Sequence, residues 1–385
     1  MKRIDQPWLT APETQAVLDA LQVEGAQALF VGGCVRNALI GASVSDLDIA
    51  TDAVPQTVIR LADKAGLKAI PTGVEHGTVT LVSGGVPHEV TTFRKDVATD
   101  GRRAVVAFST EITVDAARRD FTMNALYARQ DGTVVDPLGG MADLEERRLR
   151  FIGDANARIR EDYLRSLRYF RFHAWYGDPE GGLDPEALAA IARNLEGLDQ
   201  LSKERVGSEM LKLLSAADPA PAVAGMRQSG VLNALLPESD DRALGVLIHL
   251  EAGSEPDPLR RLAALGGEDV SERLRLSRKQ AAQLDVLMRE AREMKSAATL
   301  AYKYGAATAR DVVLARCALM ETALPADLET DVEKGAAAKF PIIASDLMPG
   351  FQGAELGQAL RRLEKRWIAS GFTLGRDALL ATRDE

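Results

Sequence analysis

The clearest chemistry in this chain lies in three acids. Asp46 and Asp48 flank Leu47 in SDLDIAT, and Glu89 alternates with Val90 in PHEVTTF. A strand has a side-chain period of two, so SDLDIAT read as a strand places both aspartates on one face and Leu47 and Ile49 on the other. Like charges that close repel unless a cation lies between them. Hard oxygen ligands of this kind suit Mg2+, which keeps some of its waters and binds through one or two carboxylates plus substrate phosphates. Glu89, on a neighbouring strand, would complete a three-carboxylate site. Such a site can hold two metal ions, one activating an attacking hydroxyl and the other stabilising a leaving group. Asp46, Asp48 and Glu89 are thus the expected catalytic acids, with Asp46 and Asp48 as metal ligands.

Upstream, the apolar run ALFV ends on Gly32 and Gly33, and CVRNALI follows as a short helix that Gly41 can close in a left-handed cap. Backbone N–H groups at such a turn face an anion, and Arg36 adds a charge-assisted donor one turn later. A phosphate fits this arrangement. The pattern matches neither G-x-G-x-x-G nor G-x-x-x-x-G-K-[ST], so neither a dinucleotide fold nor a P-loop is indicated.

These residues must be positioned by a chain of 385 residues, long enough for more than one domain. To about residue 138, β-rich runs (ALFVGG, DLDIAT, GTVTLV, HEVTTF, GTVVDPL) alternate with helical patterns. Beyond it, apolar residues recur at helical spacing, as in DLEERRLRFI, EDYLRSLRYFRFHAWY, SKERVGSEMLKLL and ELGQALRRLEKRWIASGF. The expected class is α+β, an α/β head followed by an all-helical remainder. A net charge of −9 excludes a general nucleic-acid coat protein, although RRLRFIGDANARIREDYLRSLRYFRF offers a local basic stretch with interleaved aromatics. Cys34 and Cys317 form no C-x-x-C pair, which argues against structural zinc and disulfides. No apolar leader and no window of roughly 18 apolar residues is present, so the expected compartment is the cytoplasm, without a membrane.

The string VGGCVRN…SDLDIAT resembles the signature of the polymerase β-like nucleotidyltransferases, and more narrowly that of class II CCA-adding enzymes and the related bacterial poly(A) polymerases. The resemblance implies a nucleotidyltransferase head over 1–138, a base-recognising helical neck over 139–215, a helical body over 216–270 and a tRNA-binding tail over 271–385. DAARRDFTMNALY resembles the block that contacts the incoming ribose and phosphates, which implicates Arg119, Asp120 and Asn124. The family pattern usually has Asp where this chain has Asn37; the amide keeps hydrogen bonding and loses charge.

In REDYLRSLRYFRF, Asp162, Arg165, Arg168 and Arg171 recur every three residues, along one slowly rotating helical stripe. The family uses the matching Asp and first Arg as an amino-acid template for the base. Donor and acceptor chemistry agrees. Cytosine and adenine each offer an exocyclic amine donor beside a ring-nitrogen acceptor, whereas uracil and guanine offer the reverse. Asp162 accepting and Arg165 donating therefore complement C and A and oppose U and G. Arg168 and Arg171 remain for phosphates or for holding that pair.

The activity implied is template-independent addition of C, C and A to the 3′ end of tRNA from CTP and ATP, with Mg2+ and release of pyrophosphate. The implied partner is the acceptor and T arms of tRNA, and no obligate protein partner is evident. The stretch TTFRKDVATDGRRAVVAF resembles the flexible loop of enzymes that add the terminal A. Poly(A) polymerases of the family usually carry an arginine-rich, phenylalanine-containing block where this chain has IPTGVEHGTVT. A poly(A) polymerase, an A-adding partial enzyme and a catalytically silent tRNA-binding protein are the alternatives. Arg260, Arg261, Arg361, Arg362, Lys365 and Arg366 are candidates for phosphate contact.

Overall fold

The computed structural model describes residues 2–100 and 103–383. The chain divides into two compact units, Met1–Pro237 and Glu238–Glu385.

The first unit opens with two helices, α1 (Pro7–Thr10) and α2 (Pro12–Gln22), each begun by a proline whose fixed φ suits the first helical position. Strand β1 (Ala28–Val31) follows, then α3 (Gly33–Ile40), β2 (Asp48–Thr51) and α4 (Pro55–Lys64). Strands β3 (Lys68–Gly73), β4 (Thr78–Ser83) and β5 (Val86–Thr92) form a meander. The hairpin β6 (Arg94–Asp100) and β7 (Arg103–Phe108) stands as a separate two-stranded sheet. It occupies the segment expected to be a flexible loop, whose residues 101–102 lie outside the described residues. Helix α5 (Ile112–Ala117) and the short strands β8 (Tyr127–Ala128) and β9 (Val134–Val135) complete the head.

The main sheet has seven strands in the order β3-β4-β5-β2-β1-β8-β9. All its pairs are antiparallel except β2 with β5. Alternation in β5 buries His88 and Val90 and leaves Glu89 exposed. The opposite face packs on helices: Val17, Leu18 and Leu21 of α2 and Val58 and Leu61 of α4 are fully buried, as are Ile49, Val79, Leu81 and Val90. The expected mixed head is therefore present; on the Asp48 side Leu29, Val31 and Ala50 pack with Phe93, Ala116, Ala125 and Tyr127, and Glu89 lies exposed on β5.

Helices α6 (Gly140–Glu145), α7 (Ala155–Glu161), α8 (Leu164–Tyr176), α9 (Pro185–Arg193) and α10 (Lys203–Leu214) follow. Two of them depart from the expected pattern. The DLEERRLRFI helix stops at Glu145, because Arg148 and Arg150 turn back to the fully buried Asp143, at 2.8 Å each through Nε and Nη2. EDYLRSLRYFRFHAWY is two helices broken at Asp162, whose φ of −152° and ψ of 104° are extended and whose carboxylate accepts from the Leu164 N–H at 3.1 Å.

The second unit is helical throughout, from Arg242–Leu250 to Arg376–Leu380. Arg260 and Arg261, expected as phosphate contacts, are 5% and 2% exposed. Both donate to Glu251, and Arg260 also donates to Asp311 at 2.6 Å, so these guanidinium groups are internal ion pairs. Arg361, Arg362, Lys365 and Arg366 are exposed on the helix Gly353–Ala369. Among the described residues no helix is long and apolar enough to cross a membrane.

Candidate active site

The site is built around the glycine turn between β1 and α3. Gly32 has φ 70° and ψ −118°, a conformation denied to other residues, and it caps α3. A Cβ on Gly32 would lie 3.3 Å from Arg119 Nη1, and one on Gly33 would lie 3.9 Å from Arg36 Nη2. Two guanidinium groups therefore flank the turn, where sequence reasoning expected a phosphate.

Asp48 begins β2 and is in register with Glu89 of β5, so the two carboxylates are neighbours on one face of a parallel pair. Burial raises the Asp48 pKa, and the charges of Glu89 and Asp46 raise it further against the pull of Arg119. Asp46 departs from expectation: it precedes the strand, so the period-two argument does not reach it, and it accepts from Ser45 Oγ at 2.8 Å. Among the described residues no three acidic, histidine or cysteine side chains are assembled to hold a metal ion. The expected three-carboxylate cluster is thus a facing pair with a third acid beside it. The pair still fits a divalent cation, since among the described residues neither Asp48 nor Glu89 has an ion-pair partner and their charges oppose each other.

Arg119 is held by Asp115 at 3.1 Å and by the Tyr127 hydroxyl at 3.2 Å. Burial would raise the Asp115 pKa, but Arg119, Arg118 and the Tyr127 hydroxyl outweigh it and hold the carboxyl below its usual range. From the turn, a chain of polar contacts runs into the neck. Arg36 donates to Asn37 and Asn124, Asn124 Nδ2 donates to Asp120 at 2.9 Å, and Arg168 Nε donates to Asp120 at 2.7 Å. Burial pushes the Asp120 carboxyl up, and Arg168, Asn124 and the Phe121 N–H more than reverse it. The Arg36 guanidinium lies 3.8 Å from the Tyr176 ring centroid and 5.1 Å from that of Phe172, both on α8.

Arg165, Arg168 and Arg171 share α8 as expected, but Asp162 sits at the break before it. Asp162 accepts from Arg205 Nη2 at 2.7 Å, while Arg165 Nη1 donates to Glu161 at 2.6 Å and to the Arg158 carbonyl at 2.9 Å. Arg171 Nε donates to Glu209 at 2.6 Å, and its guanidinium lies 4.5 Å from the Phe172 centroid. Sequence reasoning missed Arg205, Asp115, Tyr127, Phe172 and Tyr176 as members of the site. Arg205 and Glu209 lie in SKERVGSEM, a stretch that resembles the family's neck-buttressing helix, but that resemblance assigns neither residue a partner; they hold Asp162 and Arg171.

Comparison with known proteins is consistent with this geometry. Residues 28–150 match the family described as the poly A polymerase head domain, and residues 182–242 match one described as a probable RNA and SrmB-binding site of polymerase A. The mitochondrial CCA tRNA nucleotidyltransferase 1 of Mus musculus is 33% identical over 380 residues, covering 93% of this chain and 86% of that protein. A CCA-adding enzyme of Levilactobacillus brevis is 39% identical over 217 residues, covering 56% of this chain and 53% of its own. Among solved structures, the Bacillus stearothermophilus CCA-adding enzyme in complex with CTP aligns with a TM-score of 0.74 at 27% identity, covering 99% of this chain and 98% of that one. The Thermotoga maritima CCA-adding enzyme complexed with tRNA shares the fold, with a TM-score of 0.72 at 19% identity and coverage of 99% and 96%. A glycine turn flanked by arginines, two carboxylates in register across a parallel strand pair, and 33% identity to the mouse enzyme over 93% of this chain converge: the chain belongs to the CCA tRNA nucleotidyltransferase family.

Proposed function

We propose that this protein adds C, C and A to the 3′ end of tRNA from CTP and ATP, releasing pyrophosphate, in the cytoplasm. The observation that carries the reading is the register of Asp48 with Glu89 beside the glycine turn, joined through Asn124 and Asp120 to the arginine helix of the neck.

In this reading Asp46 and Asp48 would hold Mg2+, with Glu89 in register beside Asp48, and the bound ion would lower the pKa of the attacking hydroxyl and offset charge on the triphosphate. Glu89 adds negative charge on the same face. Gly32 and Gly33 open the backbone to the triphosphate, with Arg36 and Arg119 on either side as donors. Asp162 accepts from the exocyclic amine of cytosine or adenine and Arg165 donates to the ring nitrogen. A site built on such bonds can reject the wrong base by about 10⁴ to 10⁵, because the mismatch leaves buried polar groups unpaired. The Arg165 Nη2 bond to the Arg118 carbonyl (3.3 Å) joins base choice to the segment carrying Arg119. Arg168 holds Asp120, and Arg171 holds Glu209. Exposed Arg361, Arg362, Lys365 and Arg366 supply phosphate contacts for the tRNA.

The test is incubation with tRNA lacking its 3′ end, labelled CTP first and ATP second. Two C and one A per tRNA is the expected product. Long A tails on generic RNA would instead indicate a poly(A) polymerase, and UTP incorporation equal to that of CTP would reject the base reading.

A further inference from the structure

The two guanidinium groups beside the glycine turn differ in one respect: Arg119 has an acid and Arg36 has none. Arg119 is ion-paired with Asp115 at 3.1 Å. Arg36 is 5% exposed and, among the described residues, makes no ion pair. Its donors go to amides. Nε and Nη2 both reach Asn37 Oδ1, at 3.1 and 2.8 Å, and Nη1 reaches Asn124 Oδ1. The Tyr176 and Phe172 ring centroids lie 3.8 and 5.1 Å from the guanidinium carbon.

A buried cation without a counter-ion is costly, and the cost falls when an anion arrives. Burial depresses the Arg36 pKa, with Tyr176 and Asp120 acting against it and Arg171 and Arg168 acting with it. The amide of Asn37 is oriented for this task. Its Nδ2 donates to the Ser43 carbonyl at 2.8 Å, so Oδ1 is the atom presented to Arg36. One oxygen taking two guanidinium donors is the contact a carboxylate would make, here without the charge.

We infer that Asn37 is a positioning residue that fixes Arg36 beside the glycine turn while leaving its charge uncompensated, so that the nucleotide triphosphate becomes the missing counter-ion. This rests on the reading that the turn and Arg36 hold the triphosphate. Asn37 acts through Arg36 on the part common to CTP and ATP, so it sets affinity for both and base choice for neither.

Asn37→Asp gives Arg36 an acid in the same place. KM for CTP and for ATP should rise together by about tenfold, the scale of one charge-assisted hydrogen bond, with kcat within about twofold. Inhibition by inorganic tripolyphosphate, which has no base or sugar, should weaken by the same factor, and nucleotide affinity should depend less steeply on salt. An unchanged KM, or a rise confined to one nucleotide, overturns the proposal. Asn37→Ser removes the amide without adding charge and should keep the wild-type salt dependence; a flattened slope there overturns the proposal whether or not N37D folds. Arg36→Ala separates the two readings. If R36A leaves tripolyphosphate inhibition intact, the triphosphate reading fails. If R36A abolishes inhibition while N37D leaves it unchanged, the role of Asn37 alone fails.

Discussion

Asp162 is held by Arg205 at 2.7 Å, while Arg165, three residues further on, turns to Glu161 at 2.6 Å. The two side chains proposed to read the base are therefore each occupied by a partner of opposite charge. On that proposal a base that offers the right donor and acceptor would replace those contacts, and a wrong base would not. Removing Arg205 by Arg205→Ala frees Asp162 to take other rotamers. UTP incorporation relative to CTP should rise by about tenfold or more, measured by single-nucleotide addition, with Arg205→Lys intermediate because it keeps the charge but not the fork geometry.

Asp48 is expected to trade stability for chemistry. Its carboxyl pKa is raised in the folded protein by burial and by Glu89. A carboxyl raised on folding favours the folded state when protonated and opposes it as pH climbs past the ordinary carboxylate range. Asp48→Asn should therefore melt at a higher temperature than the wild type at neutral pH without divalent metal. The same variant should lose transfer activity by about 100-fold or more. Added Mg2+ should raise the melting temperature of the wild type and not that of D48N.

The bridge between Asp120 and Arg168 has the opposite sign. The Asp120 carboxyl is held below its usual range, so its contribution is complete above the unfolded value near ~3.9 and is lost as pH falls through the lower folded value. Asp120→Asn should be less stable than the wild type at neutral pH. The difference in melting temperature between the two should shrink as the solution is acidified below that range.

In the second unit, Glu251 is 4% exposed and receives both Arg260 and Arg261. Glu251→Ala leaves two buried guanidinium groups short of a carboxylate and should destabilise by about 3 to 5 kcal/mol, read from denaturant unfolding. Replacing exposed Arg361 and Arg362 by Ala should leave stability unchanged. It should weaken tRNA binding and make its salt slope shallower by about one for each phosphate no longer neutralised.

The pattern along the chain made much of this legible. Period two in HEVTTF predicts an outward Glu89 over an inward Val90, and the sheet agrees. Arg165, Arg168 and Arg171 share a helix as their spacing implies. Spacing failed where a side chain bonds its own backbone: Asp162 takes the Leu164 N–H and so ends the helix that the pattern extends through it. It also failed for Arg260 and Arg261, whose adjacent charges read as surface. Their partners Glu251 and Asp311 come from other parts of the unit, and no local period reports that. Arg36 against Tyr176 is the same case, a contact across 140 positions made by tertiary packing alone.

The parallel pairing of β2 with β5 has a consequence for how the protein comes to life. Strands laid side by side in the same direction cannot be joined by a tight hairpin, and here α4, β3 and β4 intervene before the partner strand arrives. Asp48 and Glu89 meet only once that whole excursion has folded back, a non-local closure of the kind that forms slowly. A nascent or half-folded head lacks this carboxylate pair, so on the proposed reading reactivity toward nucleotides would begin only with completion of the sheet.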